Sequence, residues 1–273
     1  FNGWYVDAGT HIKFKDDTFT NNLTLYAGWL AEDECILTFD ADSGYFAVDG
    51  HQSTEYYIKV KNNTENLAIA DLEIPEAKHD MVQGRGYQFI GWSPEGSEEV
   101  IDVIAAISGN MKLVAKWKAS GSDSDDPVKN FEDYIKNQRP NENGEFDTIT
   151  ISDYETLKAL AAYVNAGNSC SRRTFQLGND ITLAEDWEAI GARIDFAGTF
   201  VGNGHTLTYK DAKQPLFGNV SGRVSDVAVT GTGKVDGGIA SILNGGTIED
   251  CRVKSGSSFE GGDFAGGIVG RVT

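Results

Sequence analysis

The sequence has little cysteine and histidine and no long apolar run. Its three cysteines lie far apart and form no CxxC pair, so neither a disulfide framework nor a zinc site is indicated. The four histidines show no His-x-x-x-His spacing, and no Gly-x-Ser-x-Gly elbow or P-loop is found. No segment reaches the roughly 18 to 20 apolar residues that span a bilayer. The usual motifs of zinc, serine and nucleotide-dependent enzymes are therefore missing, and no membrane insertion is predicted within these residues.

Basic residues are scarce relative to acidic ones. The chain has 23 lysines and arginines against 41 aspartates and glutamates, which gives a net charge of −18. Such a charge repels phosphate backbones and anionic lipid headgroups. Nucleic acid and acidic membranes are thus excluded as expected partners, whereas the oligomeric state is left open.

An internal repeat occupies the first part of the chain. Phe1-Asn2-Gly3-Trp4 is matched by Phe89-Ile90-Gly91-Trp92, and Leu25-Tyr26-Ala27-Gly28-Trp29 is matched by Leu113-Val114-Ala115-Lys116-Trp117. Both tryptophans of one unit are therefore offset by 88 residues from those of the other (Trp4 to Trp92, Trp29 to Trp117). The Leu-x-Ala-x-Trp alternation predicts a strand with one buried face. We expect these aromatic side chains to be core residues.

These residues resemble the Listeria–Bacteroides repeat of the internalin B-repeat type, with its F-x-G-W-Y and L-x-A-x-W segments. The resemblance covers residues 1–30 as a truncated unit and 36–118 as a complete one. It implies a small β-grasp-like module that is used in tandem in bacterial surface proteins. Ser93 departs from the pattern, because the first unit has Tyr5 at that position.

Residues 119–147 are predicted to be a linker and connector. They begin with Ala119-Ser120-Gly121-Ser122-Asp123-Ser124-Asp125-Asp126-Pro127, which offers almost no apolar surface to bury. A solvated linker is favoured over a calcium loop, since the glycine and terminal glutamate of an EF-hand are absent. No cofactor is predicted, with calcium as the one ion kept open.

A second domain is expected over residues 148–273, beginning with a helix. Ser152-x-x-Glu155 reads as a capping box, Leu157, Leu160, Ala161 and Val164 repeat at helical spacing, and Gly167 suits a helix end. Glycine-bounded strands of four to seven residues follow. We expect the one helix to cover the open end of a solenoid.

Two weak repeats run through these strands. The segment 224–229 superposes on 248–253 at an offset of 24, and 237–240 superposes on 266–269 at an offset of 29. Three segments, Asn179-Asp180-Ile181, Gly198 to His205 and Gly266 to Gly270, resemble the right-handed β-helix regions of bacterial adhesins with GLUG-type motifs. This resemblance covers roughly residues 148–273. The fold class is thus predicted to be mainly β, with β-grasp-like repeat modules and a right-handed parallel β-helix that one N-terminal helix caps.

Two carboxylates are the most interesting candidates for a binding site. If the 24-residue offset is one coil, Asp226 and Asp250 lie about 4.8 Å apart on adjacent rungs, with Arg252 as a neighbour. Such a pair can bind calcium or act as an acid and nucleophile pair. A structural role at a bend is favoured, because Asx side chains commonly satisfy backbone groups there.

An exposed aromatic ring that stacks on a sugar is the other candidate. Trp187, Tyr209 and Phe217 lie in the solenoid half, and Trp187 is selected as a binding residue. No catalytic residue and no metal ligand is predicted.

The resemblances imply an extracellular, cell-surface or cell-wall protein, whereas low cysteine use fits a Gram-positive surface protein and a cytosolic protein equally well. The favoured function is a non-catalytic adhesin or stalk that binds host or neighbour-cell glycans or proteins. A polysaccharide lyase or glycosidase is the enzyme alternative, and it needs a groove with carboxylates and Lys or Arg on consecutive coils. An accessory domain of a large surface peptidase is the third hypothesis. The ligand identity, the anchoring mode and the orientation of the two halves are not derivable from the sequence.

Overall fold

The chain folds into two compact units. The computed structural model describes residues 1–14, 24–48, 51–120, 125–262 and 266–273. The first unit comprises Phe1–His79 and Tyr87–Lys118, and the second comprises Asp80–Gly86 and Ala119–Thr273.

The first unit is built from short strands. In chain order they are β1 (Gly3–Tyr5), β2 (Tyr26–Gly28), β3 (Glu34–Asp40), β4 (Phe46–Val48), β5 (His51–Ser53), β6 (Glu55–Lys61), β7 (Glu65–Ala68), β8 (Gly86–Pro94), β9 (Val103–Ala106) and β10 (Met111–Ser120), with a 3-10 turn at Ile69–Asp71. The main sheet has the order β6-β3-β10-β8. Its two central strands, β3 and β10, run parallel, whereas β6 is antiparallel to β3. The main sheet of the first unit is therefore mixed, with its parallel pair at the centre.

The truncated repeat forms only a two-stranded sheet within this unit. Strands β1 and β2 pair antiparallel, with Trp4 opposite Ala27. Tyr5 is fully buried and packs against Ile36 and Tyr57 of the complete repeat. The two repeats are therefore joined through the face of β1 that carries Tyr5.

The second unit is a parallel β-solenoid with two helices. Its elements are α1 (Pro127–Asn137), β11 (Ile149–Ile151), α2 (Tyr154–Asn165), β12 (Thr174–Leu177), β13 (Ile181–Leu183), β14 (Thr199–Val201), β15 (Thr206–Lys210), β16 (Phe217–Val220), β17 (Arg223–Ser225), β18 (Ala228–Gly233), β19 (Ala240–Leu243), β20 (Thr247–Glu249), β21 (Arg252–Val253), β22 (Ser258–Phe259) and β23 (Val269–Val272).

These strands stack into three parallel sheets over about five coils. The first sheet has the order β11-β12-β14-β17-β20, the second β13-β15-β18-β21 with β22 also on β18, and the third β16-β19-β23. We number the coils by their strands: coil 1 has β11, coil 2 has β12 and β13, coil 3 has β14 to β16, coil 4 has β17 to β19, and coil 5 has β20 to β23.

Apolar side chains form continuous stacks inside the solenoid. In the first sheet one stack is Ile149, Phe175, Phe200, Val224 and Ile248, each in register with the next. In the second sheet another stack is Ile181, Leu207, Val229 and Val253. Burying each such side chain stabilises the fold by about 1.5 to 3 kcal/mol, so the stacks hold the coils together.

The two weak repeats found in the sequence correspond to residues that lie in register on neighbouring coils. Val224 pairs with Ile248 and Val229 with Val253, which confirms the offset of 24. Ala240 pairs with Val269, which confirms the offset of 29. Each of the segments 224–229 and 248–253 is divided between two strands, because the backbone bends at Asp226 and at Asp250.

Two features at the start of this unit correct the sequence predictions. The solenoid has two helices instead of one, because α1 lies in the expected connector and buries Phe131 and Ile135 in the solenoid core. Residues 121–124 of the expected linker lie outside the described residues.

The residue that caps α2 also differs from the prediction. The N-cap is Asp153, whose side chain accepts a hydrogen bond from the Thr156 N–H at 2.8 Å. The Ser152 hydroxyl, which was predicted to cap the helix, donates to Asp80 instead.

Candidate ligand groove of the solenoid

The corner between the first and second sheets carries the aspartates that the sequence singled out. Asp226 and Asp250 follow β17 and β20 at equivalent places, since Ser225 is in register with Glu249. Their φ angles are +52° and +51°, and Asn203 has +51° in coil 3. Asn and Asp are the non-glycine residues that best tolerate this left-handed conformation. The left-handed backbone conformation at this corner therefore explains why Asn and Asp recur here on successive coils.

Asp226 is already engaged by neighbouring groups. Its Oδ2 accepts a hydrogen bond of 2.9 Å from the Gly204 N–H on the preceding coil. Its Oδ1 lies 3.9 Å from the Arg252 guanidinium on the following coil. The structure thus brings Asp226, Asp250 and Arg252 to one corner, as expected, and gives Asp226 a backbone-satisfying role. Ligand binding at this corner stays a prediction.

The aromatic rings selected from the solenoid half are not on its surface. Trp187 is only 2% exposed, and its indole N–H donates to the Pro215 carbonyl at 2.9 Å. Tyr209 and Phe217 are also buried. The expectation that Trp187 presents a ring to a sugar is therefore corrected: burial of its large apolar surface and a satisfied N–H make it a core residue.

A groove with charged residues in its walls lies instead at the corner that follows the second sheet. It is a cavity of about 560 Å³, within the size range of small-molecule sites. Its lining comes from four consecutive coils, from the ends of β18 and β22 and from the segments that follow β13, β15, β18 and β22. The lining residues are Glu185 of coil 2, Asp211, Ala212 and Lys213 of coil 3, Thr232, Gly233 and Lys234 of coil 4, and Ser258 and Glu260 of coil 5.

A second cavity of about 360 Å³ adjoins this groove. It lies over the third sheet and is lined by small and polar residues such as Gly218, Asn219 and Ser241. Lys213 and Lys234 line both cavities. The two lysines therefore lie at the boundary between the two cavities.

The two lysines differ in their charge partners. The Lys213 ammonium lies 2.6 Å from Glu185 on the preceding coil. Its hydrogen bond and charge hold the pKa of Glu185 below the ordinary value, so this carboxylate is ionised. Lys234 is exposed and makes no ion pair with any residue that the structure describes. One lysine is thus neutralised, and the other is available to donate hydrogen bonds.

Buried contacts constrain β15 and β18, the two strands that lead into the groove. The Tyr209 hydroxyl donates to the Gly238 carbonyl at 2.8 Å and accepts from the Leu216 N–H at 2.7 Å. Burial raises the pKa of Tyr209 well above its ordinary value. Gly231 has a φ of +103°, and a Cβ there would lie 2.3 Å from the Tyr209 carbonyl oxygen. Tyr209 and Gly231 therefore constrain the backbone of the second sheet at the bend that leads into the groove.

The sequence analysis missed this groove. Lys213 follows the buried Ala212, whereas Lys234 precedes the buried Val235, so the lysines do not align in a simple repeat. The one available signal was the recurrence of charged residues after each strand of the second sheet.

Comparison with known proteins identifies only the first repeat. The sequence model of the Listeria–Bacteroides repeat domain family matches residues 1–28. No curated protein and no solved structure matches the chain. None of the described helices is long and apolar enough to cross a membrane, and no cluster of metal-ligating side chains is found among the described residues. A repeat domain of this family together with a parallel β-solenoid fits a surface or stalk-type protein.

Proposed function

We propose that this chain is a non-catalytic, extracellular adhesin or stalk segment whose solenoid binds a glycan chain in the groove lined by Lys213 and Lys234. The repeats act as a spacer, and the solenoid presents the ligand surface. The observation that carries the proposal is the groove that extends over four consecutive coils and has charged residues on each of them.

The chemistry of the lining suits a polyhydroxylated ligand. Carboxylates such as Asp211 and Glu260 accept hydrogen bonds from hydroxyl groups, and the Lys234 ammonium donates up to three. Adjacent coils are about 4.8 Å apart, so the groove presents charged and polar groups at successive levels along the solenoid axis. An extended ligand contacts several of these levels at once, and a glycan chain is such a ligand.

A glycan array tests this proposal. The full chain of 273 residues should retain at least one class of glycan, and the double variant Lys213→Ala/Lys234→Ala should bind it at least tenfold more weakly. Lys210→Ala is the matched control, because Lys210 is exposed on β15 but does not line the groove. The proposal fails if no glycan is retained, or if the double variant and the control bind alike.

A polysaccharide-cleaving activity is the second candidate, and the same groove favours it. The enzyme alternative requires carboxylates together with Lys or Arg on consecutive coils, and the groove has Glu185, Asp211 and Glu260 beside two lysines. The lowered pKa of Glu185 makes this residue a poor general acid, which needs a raised pKa. Release of reducing or unsaturated sugar ends by the wild-type chain, and not by the double variant, would support cleavage over binding.

A further inference from the structure

The second cavity, which lies over the third sheet, has a lining of mixed chemistry. Its volume of about 360 Å³ falls in the size range of small-molecule sites. The lining comes from coils 2 to 4. It combines apolar side chains such as Ala192, Pro215 and Val235 with the side-chain amides of Gln214 and Asn219. Such a lining suits a substituent that has an apolar end and a polar end.

The side-chain amide of Gln214 is anchored through its oxygen alone. Its Oε1 accepts a hydrogen bond of 3.1 Å from the Ala189 N–H on the preceding coil. Because an N–H faces this atom, it must be the oxygen, and the other amide atom is the nitrogen. That Nε2 group makes no hydrogen bond within the part of the chain that the structure describes. Gln214 therefore has a free donor beside the cavity.

The side-chain amide of Asn219 is anchored in the opposite sense. Its Nδ2 donates a hydrogen bond of 3.0 Å to the Gly191 carbonyl, and its Oδ1 has no partner among the described residues. Asn219 thus has a free acceptor beside the same cavity. Both anchors lie in one tripeptide, Ala189 to Gly191, which spans at most about 7 Å. The free donor and the free acceptor are therefore neighbours.

The ionisable groups of the lining leave no excess charge of either sign. The Lys213 ammonium is paired with Glu185 at 2.6 Å. Of the other two groups, Lys234 is a cation and Asp236 is a carboxylate whose Oδ1 accepts a hydrogen bond from the Gly262 N–H at 2.8 Å. An uncharged polar substituent therefore fits this cavity better than a phosphate, sulfate or ammonium group does.

We propose that the second cavity receives the acetamido group of an N-acetylhexosamine unit, while the rest of the glycan occupies the groove. The carbonyl of the acetamido group accepts a hydrogen bond from Gln214 Nε2, and its N–H donates to Asn219 Oδ1. Its methyl group packs against the apolar part of the lining, where burial is favourable. Lys213 and Lys234 line both cavities, so a ligand in the groove can place a substituent in the second cavity. This inference rests on the proposed glycan binding and names the class of glycan.

A glycan array of matched pairs tests the proposal. Each N-acetylhexosamine glycan is placed beside the same glycan with a hydroxyl in place of the acetamido group, and the full chain is the probe. We expect the retained glycans to carry acetamido groups. Their hydroxyl counterparts should bind at least tenfold more weakly, because they leave the amides of Gln214 and Asn219 unpaired. Saturation-transfer NMR should show the strongest transfer to the acetyl methyl group.

Two variants test the cavity itself. Gln214→Glu keeps the oxygen that accepts from the Ala189 N–H and replaces the free donor with a second oxygen. It should weaken binding of the acetamido glycan at least tenfold and leave binding of the hydroxyl counterpart unchanged. Gln52→Glu is the matched control, because Gln52 is an exposed glutamine of the first unit. Ala192→Leu fills the cavity from an exposed position of its wall and should act as Gln214→Glu does.

Other outcomes would overturn the proposal. Equal binding of the acetamido glycans and their hydroxyl counterparts, with retention still lost in Lys213→Ala/Lys234→Ala, would refute the acetamido site and leave the groove proposal standing. If no glycan is retained, both proposals fail. Equal binding by Gln214→Glu and Gln52→Glu would show that the amide makes no contact with the ligand. Binding of an N-acetylated peptide without retention of any glycan would show that the cavity receives a peptide amide instead.

Discussion

The Lys213 ammonium lies 2.6 Å from a Glu185 carboxylate oxygen, across one coil of the solenoid and 28 residues of sequence. The contact lowers the pKa of Glu185 and raises that of Lys213. Both side chains are largely exposed, so the pair adds little to stability. Its consequence is electrostatic: it sets the charge on one wall of the groove.

Removing Lys213 should therefore return the pKa of Glu185 to its ordinary value. Because the folded-state pKa is lowered, the small contribution of the pair is present above the unfolded pKa and is lost as the pH falls through the folded one. A carboxyl NMR titration of wild type and Lys213→Met measures the shift. Lys210→Met should leave the Glu185 midpoint unchanged. An unshifted midpoint in Lys213→Met would show that the pair does not form in solution.

Truncating Phe131 should destabilise the solenoid by about 3 to 5 kcal/mol, as expected for removal of a buried phenylalanine. Its ring packs against Tyr163 and Phe175, at centroid distances of 5.8 Å and 6.4 Å. Urea unfolding of Phe131→Ala measures the loss. Lys129→Ala changes an exposed residue of the same helix and should cost little. A similar stability for both variants would mean that α1 behaves as a connector after all.

Removing the Tyr209 hydroxyl should cost about 2 kcal/mol, because Tyr209→Phe leaves the buried Gly238 carbonyl and Leu216 N–H each without this partner. Chemical denaturation measures the change. The same variant should weaken glycan binding, since these bonds hold the bend beside Lys213. If the Tyr209→Phe variant were as stable as the wild type, these two hydrogen bonds would contribute nothing to the free energy of unfolding.

Adding a methyl group at Gly231 should destabilise the solenoid by at least about 1 kcal/mol. A left-handed residue with a Cβ costs roughly 1 to 2 kcal/mol, and here the Cβ also meets a backbone oxygen. Gly267→Ala is the control, since a Cβ there meets no atom within 4 Å. Thermal unfolding compares the two variants. Equal melting temperatures would show that the backbone at Gly231 relaxes freely.

The register of the coils could be predicted from the sequence because residues of the same type recur at equivalent positions of the first sheet. Val224 and Ile248 are both β-branched and precede an aspartate by two residues, and they are in register in the first sheet. The helix α2 was predictable for a similar reason, since Leu157, Leu160, Ala161 and Val164 are all buried at helical spacing.

Other features depend on contacts that no local pattern encodes. The helix α1 shows only Phe131 and Ile135 as buried large side chains among many polar residues, so its core role depends on a distant partner such as Phe175. The groove joins residues from 185 to 260, and its corner segments differ in length. The prediction that the aromatic rings of the first repeat are core residues is wrong for Phe1, Trp4 and Trp29, which are exposed. The same residue type is buried at Trp92, where Phe39 and Phe46 pack against the ring, so the residue type alone does not decide burial.

Hydrogen exchange of the chain with and without a glycan that the array retains tests the groove most directly. Binding should slow exchange at residues 211–213, 232–234 and 258–260 and leave the amides around Asp226 and Asp250 unchanged, with the glycan recovered at its original length. Protection at the aspartate corner alone, or recovery of shortened sugars, would contradict a non-catalytic ligand groove at Lys213 and Lys234.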